Sequence, residues 1–208
     1  MLARVRTKIC GITSVEDALL AVSAGADAIG LVFYEPSPRY VSPEVARDIC
    51  KALPPFVGVV GLFVNHSRED ITGICAQVPL TLLQFHGAER EADCLGYGLP
   101  YIKAIQVRDA ISVANAELAF PSAQGLLVDT YKEGVAGGTG EVFDWALLPE
   151  NCAKPLILAG GLNPQNVRNA ITQVEPFAVD VSGGVEREKG IKDRDKIISF
   201  IKEVSSEC

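Results

Sequence analysis

The sequence has no C-x-x-C pair and only two histidines, His66 and His86, beside six cysteines at positions 10, 50, 75, 94, 152 and 208. That shortage argues against a structural zinc site and leaves no disulfide framework to read, so reduced, unpaired thiols are expected. Cys50 and Cys75, in "PEVARDICKAL" and "EDITGICAQV", fall in amphipathic patterns and read as small buried hydrophobes, and Cys208 is a terminal thiol with no evident partner. A basic excess is missing too. With 26 acidic against 19 basic residues and a formal charge of -7, no basic face is expected for nucleic acid or an anionic membrane, and any anionic ligand must be held by local groups. The longest apolar block, "VGVVGLFV", is far too short to span a bilayer, and the first ten residues contain no apolar signal core. A soluble, cytoplasmic protein is therefore expected. Nucleotide motifs are absent as well: "GTGEVF" lacks the third glycine of the dinucleotide fingerprint, and no G-x-x-x-x-G-K-[ST] occurs.

What is present is a rhythm. Short runs rich in Val, Ile, Leu and Phe alternate with segments of helical period, which predicts parallel strands with helices outside them. Strands are expected near Val5 to Cys10, Ala28 to Phe33, Val57 to Val64, Thr81 to Phe85, Tyr101 to Val107, Gly125 to Asp129, Pro155 to Ala159 and Phe177 to Val181. Helices are expected near Val15 to Ala24, Pro43 to Leu53, Arg68 to Gln77, Glu89 to Gly96, Asp109 to Ala119, a short piece after Asp144, Pro164 to Gln173 and Asp193 to Val204. Ser14, Ser42 before Pro43, and Asn163 before Pro164 supply start signals. No Pro/Ser-rich linker or change of composition divides the chain, so residues 1–208 are read as a single domain. Eight βα units predict a (β/α)8 TIM barrel, with a doubly wound open sheet as the alternative.

In such barrels ligands meet the C-terminal ends of the strands, and polar residues collect there. Cys10 ends the first predicted strand, Asn65 follows the third, Gln84 and His86 end the fourth, Asp129 ends the sixth, and Asp180 with Ser182 ends the eighth. Alternation along a strand puts Gln84 and His86 on one face, and Asp180 and Ser182 on one face. The turns "LAGGLNPQNV" and "DVSGGVE", containing Gly160, Gly161, Ser182, Gly183 and Gly184, can form a phosphate cradle from backbone N–H groups. Either loop alone would read as ordinary turn glycine; two on neighbouring strands favour phosphate. Arg39, in "SPRYV", could grip a carboxylate with two parallel bonds, although a loop arginine taken alone is more often a solvated charge. The longer loop "YKEGVAGGTG" reads as a mobile cover or a flexible turn.

Asp129 closes the apolar run "GLLVD" and can serve as a general acid or simply cap the next turn. Cys10 can act as base or nucleophile, whereas a lone cysteine is more often a small core residue. A Cys10–His86 pair is open on this reading. Lys8 and Lys103 lie in strands, which keeps a Schiff-base lyase or aldolase in view, though Lys8 reads better as half of an ion pair deep in the barrel. A non-catalytic barrel that binds a phosphorylated metabolite is the third reading.

Taken in order, "KICGIT", "AIGLVF" with "SPRYV", "VGLFVN", "LLQFHG", "LLVDT" with "GGTG" and "FDW", "LAGGLNPQNV" and "DVSGGVE...GIKD" resemble the phosphoribosylanthranilate isomerases over about Lys8 to Phe200. Gly183 departs from the commoner Ser-Ser-Gly form, which keeps a backbone donor but removes a hydroxyl. The resemblance implies an Amadori rearrangement of N-(5-phosphoribosyl)anthranilate in tryptophan biosynthesis. Asp129 would be the acid that opens the furanose, Cys10 the base at ribose C2, and Arg39 the holder of the anthranilate carboxylate. The glycine loops would hold phosphate, and Asn65, Gln84, His86 and Asp180 would line the site. It implies no metal or organic cofactor. The expected partner is a small phosphosugar, with no nucleic acid or membrane, for a monomer or homodimer. A thiol needs a neighbour, or the ligand's own iminium charge, to become thiolate at neutral pH.

Overall fold

A computed structural model describes residues 4–109, 111–130, 145–149 and 151–206. Eight parallel strands close on themselves in sequence order: β1 (Arg6–Cys10), β2 (Ala28–Val32), β3 (Gly58–Phe63), β4 (Leu82–Phe85), β5 (Tyr101–Val107), β6 (Gly125–Thr130), β7 (Leu156–Leu158) and β8 (Ala178–Val181). Closure is completed by β1 pairing with β8, in the register Lys8 opposite Asp180. The open-sheet alternative is thereby excluded. The helices are α1 (Val15–Ala24), α2 (Pro43–Ala52), α3 (Arg68–Gln77), α4 (Ser112–Ala119), α5 (Val167–Val174) and α6 (Arg194–Ser205).

The strand runs are apolar on both faces because both are covered. One set of residues, including Ile9, Ile29, Leu31, Leu83, Leu126, Val128 and Val179, packs beneath the helices in the main core. The alternate set, Ile102, Ala104, Leu127, Ile157, Ala159 and Ala178, fills the barrel interior. Cys10 belongs to a small cluster with Val32 and Leu62 nearer the mouth. This parity fixes which polar side chains face inward: Lys8 and Cys10 share a face of β1, as Leu127 and Asp129 share one of β6.

Several expected elements differ. The helix expected over Glu89 to Gly96 is a single 3-10 turn, Glu91–Asp93, in a segment with Gly96 at φ +90° and Gly98 at +70°. Pro164 does not open a helix; α5 begins at Val167, because the Asn163 side chain accepts from the N–H groups of Gln165 and Asn166 and holds a separate turn. Ser14 and Ser42 do cap α1 and α2, accepting from Asp17 and Val45. A two-stranded antiparallel hairpin, β9 (Glu186–Glu188) with β10 (Ile191–Lys192), stands unannounced between β8 and α6. Cys50 and Cys75 are only half-buried; with Cys10, Cys94 and Cys152 they are unpaired. The cover expected from the loop "YKEGVAGGTG" and the thiol of Cys208 lie outside the described residues. Among the described residues no helix is long and apolar enough to cross a membrane.

Candidate active site at the barrel mouth

Cys10 is the last residue of β1 and is 5% exposed. It stands in register with Gly30 of β2. A Cβ at Gly30 would lie 2.7 Å from the Cys10 sulfur and 3.1 Å from Lys8 Cε, so glycine provides the space in which sulfur and ammonium stem sit together. Lys8 Nζ donates to Asp180 Oδ1 at 2.9 Å, both side chains being almost fully buried. The expected deep ion pair is therefore present, and it places Asp180 beneath Cys10. Burial opposes the Lys8 charge, but Asp180 and Cys10 outweigh it and its pKa ends above the ordinary value. Burial pushes the Cys10 thiol up; the Lys8 ammonium and, more weakly, Lys192 pull the other way, while Asp180 adds to the rise. The balance is a protonated thiol at neutral pH, with Lys8 as the main cation facing it.

Across the barrel, His86 Nε2 lies 3.3 Å from Asp129 Oδ2, and His86 Nδ1 lies 3.0 Å from Gln84 Nε2. With Gln84 donating, Nδ1 accepts and Nε2–H points at the Asp129 carboxyl oxygen. Gln84 is wholly buried and its Oε1 has no partner among the described residues. The structure thus joins Gln84, His86 and Asp129 into one chain and keeps His86 on the Asp129 side. His66 is structural: its Nδ1 accepts from Val64 N–H, leaving Nε2–H for the Phe33 carbonyl.

Arg39 reaches the same rim from the loop after β2, but not as a free charge. Its Nε and Nη2 donate to the two oxygens of Glu186 at 2.7 and 2.8 Å. Lys192, with its side chain fully buried, donates to Glu186 Oε1 at 3.0 Å, the Cys10 carbonyl at 2.7 Å and the Ser182 carbonyl at 3.2 Å. Burial works against the Glu186 carboxylate, yet Arg39 and Lys192 hold its pKa below the ordinary value. Sequence reasoning missed both Glu186 and Lys192. Their only signal was alternating charge in "EREKGIK", which ordinarily marks a solvated turn; the hairpin leaves Arg187, Glu188 and Lys189 exposed but buries Glu186 and Lys192 by folding back over the end of β1.

The glycine turns stand side by side after β7 and β8. Gly160 and Gly161 have φ of +82° and +65°, and a Cβ at Gly184 would fall 1.9 Å from the Leu162 carbonyl oxygen. Asn163 and Asn166 amides both donate to the Gly161 carbonyl, fixing that peptide. Gly183 lies near Arg39, where an added Cβ would stand 3.3 Å from Nη2. Asn65, at φ +54°, does not join the other polar residues: its Oδ1 accepts from Ala88 N–H and its own N–H donates to Glu89, tying the loops after β3 and β4 together. Lys103 is on the outer face of β5, opposite in parity to Ile102 and Ala104. Its ammonium is surrounded by Phe85, Gly87 and Ala104 carbonyls and the Glu89 carboxylate. A Schiff base at Lys103 is incompatible with that position, and Lys8 is engaged by Asp180.

A family model described as N-(5'phosphoribosyl)anthranilate (PRA) isomerase matches residues 7–203. The chain is 61% identical over 203 residues to the N-(5'-phosphoribosyl)anthranilate isomerase of Pseudomonas fluorescens strain Pf0-1, covering 98% of this chain and 100% of that one. The crystal structure of phosphoribosyl anthranilate isomerase from Thermotoga maritima is similar with a TM-score of 0.85 and 44% identity, over 97% of this chain and 99% of that chain. A second crystal structure, of phosphoribosyl anthranilate isomerase in complex with reduced 1-(o-carboxyphenylamino)-1-deoxyribulose 5-phosphate, matches with a TM-score of 0.81 and 43% identity over the same shares.

Proposed function

Since the chain belongs to the N-(5'-phosphoribosyl)anthranilate isomerase family, we propose that it isomerises that aminoaldose with Cys10 as base and Asp129 as acid. The product is 1-(o-carboxyphenylamino)-1-deoxyribulose 5-phosphate, and the step belongs to tryptophan biosynthesis. The observation that carries the assignment of roles is placement. Cys10, the last residue of β1, and Asp129, one residue before the end of β6, stand on the inward parity of one closed barrel, so a pentose at the mouth can meet a sulfur on one side and a carboxyl on the other.

Asp129 gives a proton to the furanose ring oxygen as the C1–O bond breaks and the aniline nitrogen forms an iminium. His86, 3.3 Å from Asp129, orients the carboxyl through its Nε2–H. The Cys10 thiolate then takes the proton from C2 and the electron pair moves toward the iminium nitrogen; the enolamine relaxes to the ketone as C1 takes up the thiol's proton and the C2 hydroxyl gives up its own, which restores the Asp129 carboxyl. The substrate's own nitrogen is the electron sink, so the sequence of steps calls on no cofactor. Separate acid and base are required because the two must be in opposite protonation states at once. The buried thiol gains its charge only when cations gather round it: Lys8 is present beforehand, and the iminium arrives with the substrate. Asp180 keeps Lys8 in place under the sulfur.

Arg39 holds the anthranilate carboxylate, and the backbone at Gly160, Gly161, Ser182, Gly183 and Gly184 receives the phosphate. The same reading places the enzyme in the cytoplasm, as a monomer or homodimer of a single-domain chain acting on a small phosphosugar. The test generates the labile substrate in place from anthranilate and phosphoribosyl pyrophosphate with a transferase, then follows loss of its fluorescence on adding the protein. Turnover is expected; binding without turnover would favour a non-catalytic barrel.

A further inference from the structure

The Arg39 guanidinium is held more elaborately than a loop arginine requires. Its stem lies against Gly11, the residue after Cys10: a Cβ there would come 2.5 Å from Arg39 Cδ and 3.2 Å from Cγ, and Gly11 has φ +73°. Its Nε and Nη2 meet Glu186 side-on. A guanidinium has a second two-donor edge, formed by Nη1 and the outer Nη2 hydrogen, and the Glu186 contact leaves that edge for another carboxylate. Glu186 is in turn fixed by Lys192, whose remaining hydrogens go to the carbonyls of Cys10 and Ser182. The hairpin carrying both is anchored by Lys192 N–H to the Asp17 carboxylate and by Lys196 to the Glu186 carbonyl. One chain of charge-assisted bonds therefore runs from the Cys10 backbone through Lys192 and Glu186 to Arg39.

Taking the isomerase reading and the role of Arg39 as its basis, we infer that Glu186, backed by Lys192, is a positioning residue that aims Arg39 at the ring carboxylate of the substrate. Glu186 does not touch the reacting atoms. It fixes the plane and direction of the guanidinium, and Lys192 supplies the charge that keeps Glu186 from neutralising Arg39. The consequence is specificity for an aminoaldose whose aromatic ring bears an ortho carboxylate, set relative to Cys10 because Lys192 is bonded to the Cys10 carbonyl.

The test measures affinity for reduced 1-(o-carboxyphenylamino)-1-deoxyribulose 5-phosphate and for its phenylamino analogue lacking the carboxylate. In the wild-type protein the first should bind more tightly, and wild-type turnover checks the isomerase reading separately. Glu186→Gln should shrink the affinity ratio by about 10- to 100-fold, the loss of an oriented charge-assisted pair, with affinity for the carboxyl-free analogue little changed. The KM for substrate should rise by more than kcat falls. Glu186→Gln in an Arg39→Ala background should lower the ratio no further. Should Glu186→Gln fail to fold with Lys192 left unpaired, Glu186→Leu/Lys192→Met removes both charges together and carries the same expectation. An unchanged ratio in a folded variant that still turns over substrate overturns the inference while leaving the isomerase reading intact. Equal weakening of both ligands overturns it too, because that is the signature of a general structural role.

Discussion

Gly30→Ala tests the site through space alone. The backbone of Gly30 is ordinary strand, so alanine introduces no conformational strain of its own. Its Cβ, however, would stand 2.7 Å from the Cys10 sulfur, 3.1 Å from Cys10 Cα and 3.1 Å from Lys8 Cε. Restoring ordinary contact at about 3.4 Å requires the sulfur to move by about 0.7 Å, away from the position in which it would meet ribose C2. A misplacement near 1 Å can cost ~10²-fold in rate, so kcat should fall by about 10- to 100-fold. KM should change less, because neither Arg39 nor the proposed phosphate loops are among the atoms that this Cβ would meet.

The fold should survive, since overpacking by one methyl costs about 1–3 kcal/mol, or a fall of several degrees in Tm for a chain of this size. Gly58→Ala is the matched control. Its Cβ would meet Ala28 Cβ at 3.1 Å at the start of β3, a milder crowding that does not involve the sulfur. It should lose stability and keep kcat. Circular dichroism melts and the coupled fluorescence assay read both quantities. A folded Gly30→Ala protein with wild-type kcat would refute the placement of the base at Cys10.

Cys10→Ala and Asp129→Asn should each lower kcat by about 10² or more with the melting curve little changed; full activity in either removes that residue from the chemistry. Because burial holds the Cys10 thiol above its ordinary range, the thiolate is a minor form at neutral pH in the free enzyme and grows as pH rises. Then kcat/KM should still be rising at pH 9, and iodoacetamide should alkylate Cys10 slowly at pH 7; a plateau reached by pH 8 would contradict this. Gly184→Ala drives a methyl into the Leu162 carbonyl oxygen and should raise KM about tenfold or more by distorting the proposed phosphate loop, measurable by steady-state kinetics. Lys103→Met leaves Glu89 buried without its cation and should cost about 3–5 kcal/mol in urea unfolding, with no borohydride-stable adduct formed at that position in the wild type.

The barrel was legible because each strand is covered on both faces and each helix on one, so run length and period separate them cleanly. The helix expected over Glu89 to Gly96 failed for a local reason. Gly96 and Gly98 take left-handed backbone there, and the Glu91 carboxylate accepts from Tyr101 and from Ser122 N–H. Asn163 misled similarly, since an Asn-Pro start signal is also an Asx-turn signal. At the mouth, strand ends can be read one residue at a time, which is why Cys10, Gln84, His86 and Asp129 are expected at the C-terminal rim, where the structure places them. Asn65 was found at the right end but serves the loop beside it. Glu186 and Lys192 escaped because charge alternation carries no sign of burial; only the pairing of β9 with β10 turns that face against β1.

The hairpin also resolves a difficulty posed by composition. A chain of net charge -7 must hold a substrate carrying a phosphate and a carboxylate, so its overall field opposes binding. Around Cys10 cations are gathered locally. Lys8, Arg39 and Lys192 share two paired carboxylates, Asp180 and Glu186, at the end of β1 and beside the glycine turns, while the Asp17 carboxylate is taken by the Lys192 backbone N–H. Each paired carboxylate holds its cations in place. Because these charges are buried, salt should screen them less than the repulsive surface charges. Moderate ionic strength should therefore leave KM unchanged or lower it; a steep rise in KM between 50 and about 200 mM salt would show that surface charge governs binding.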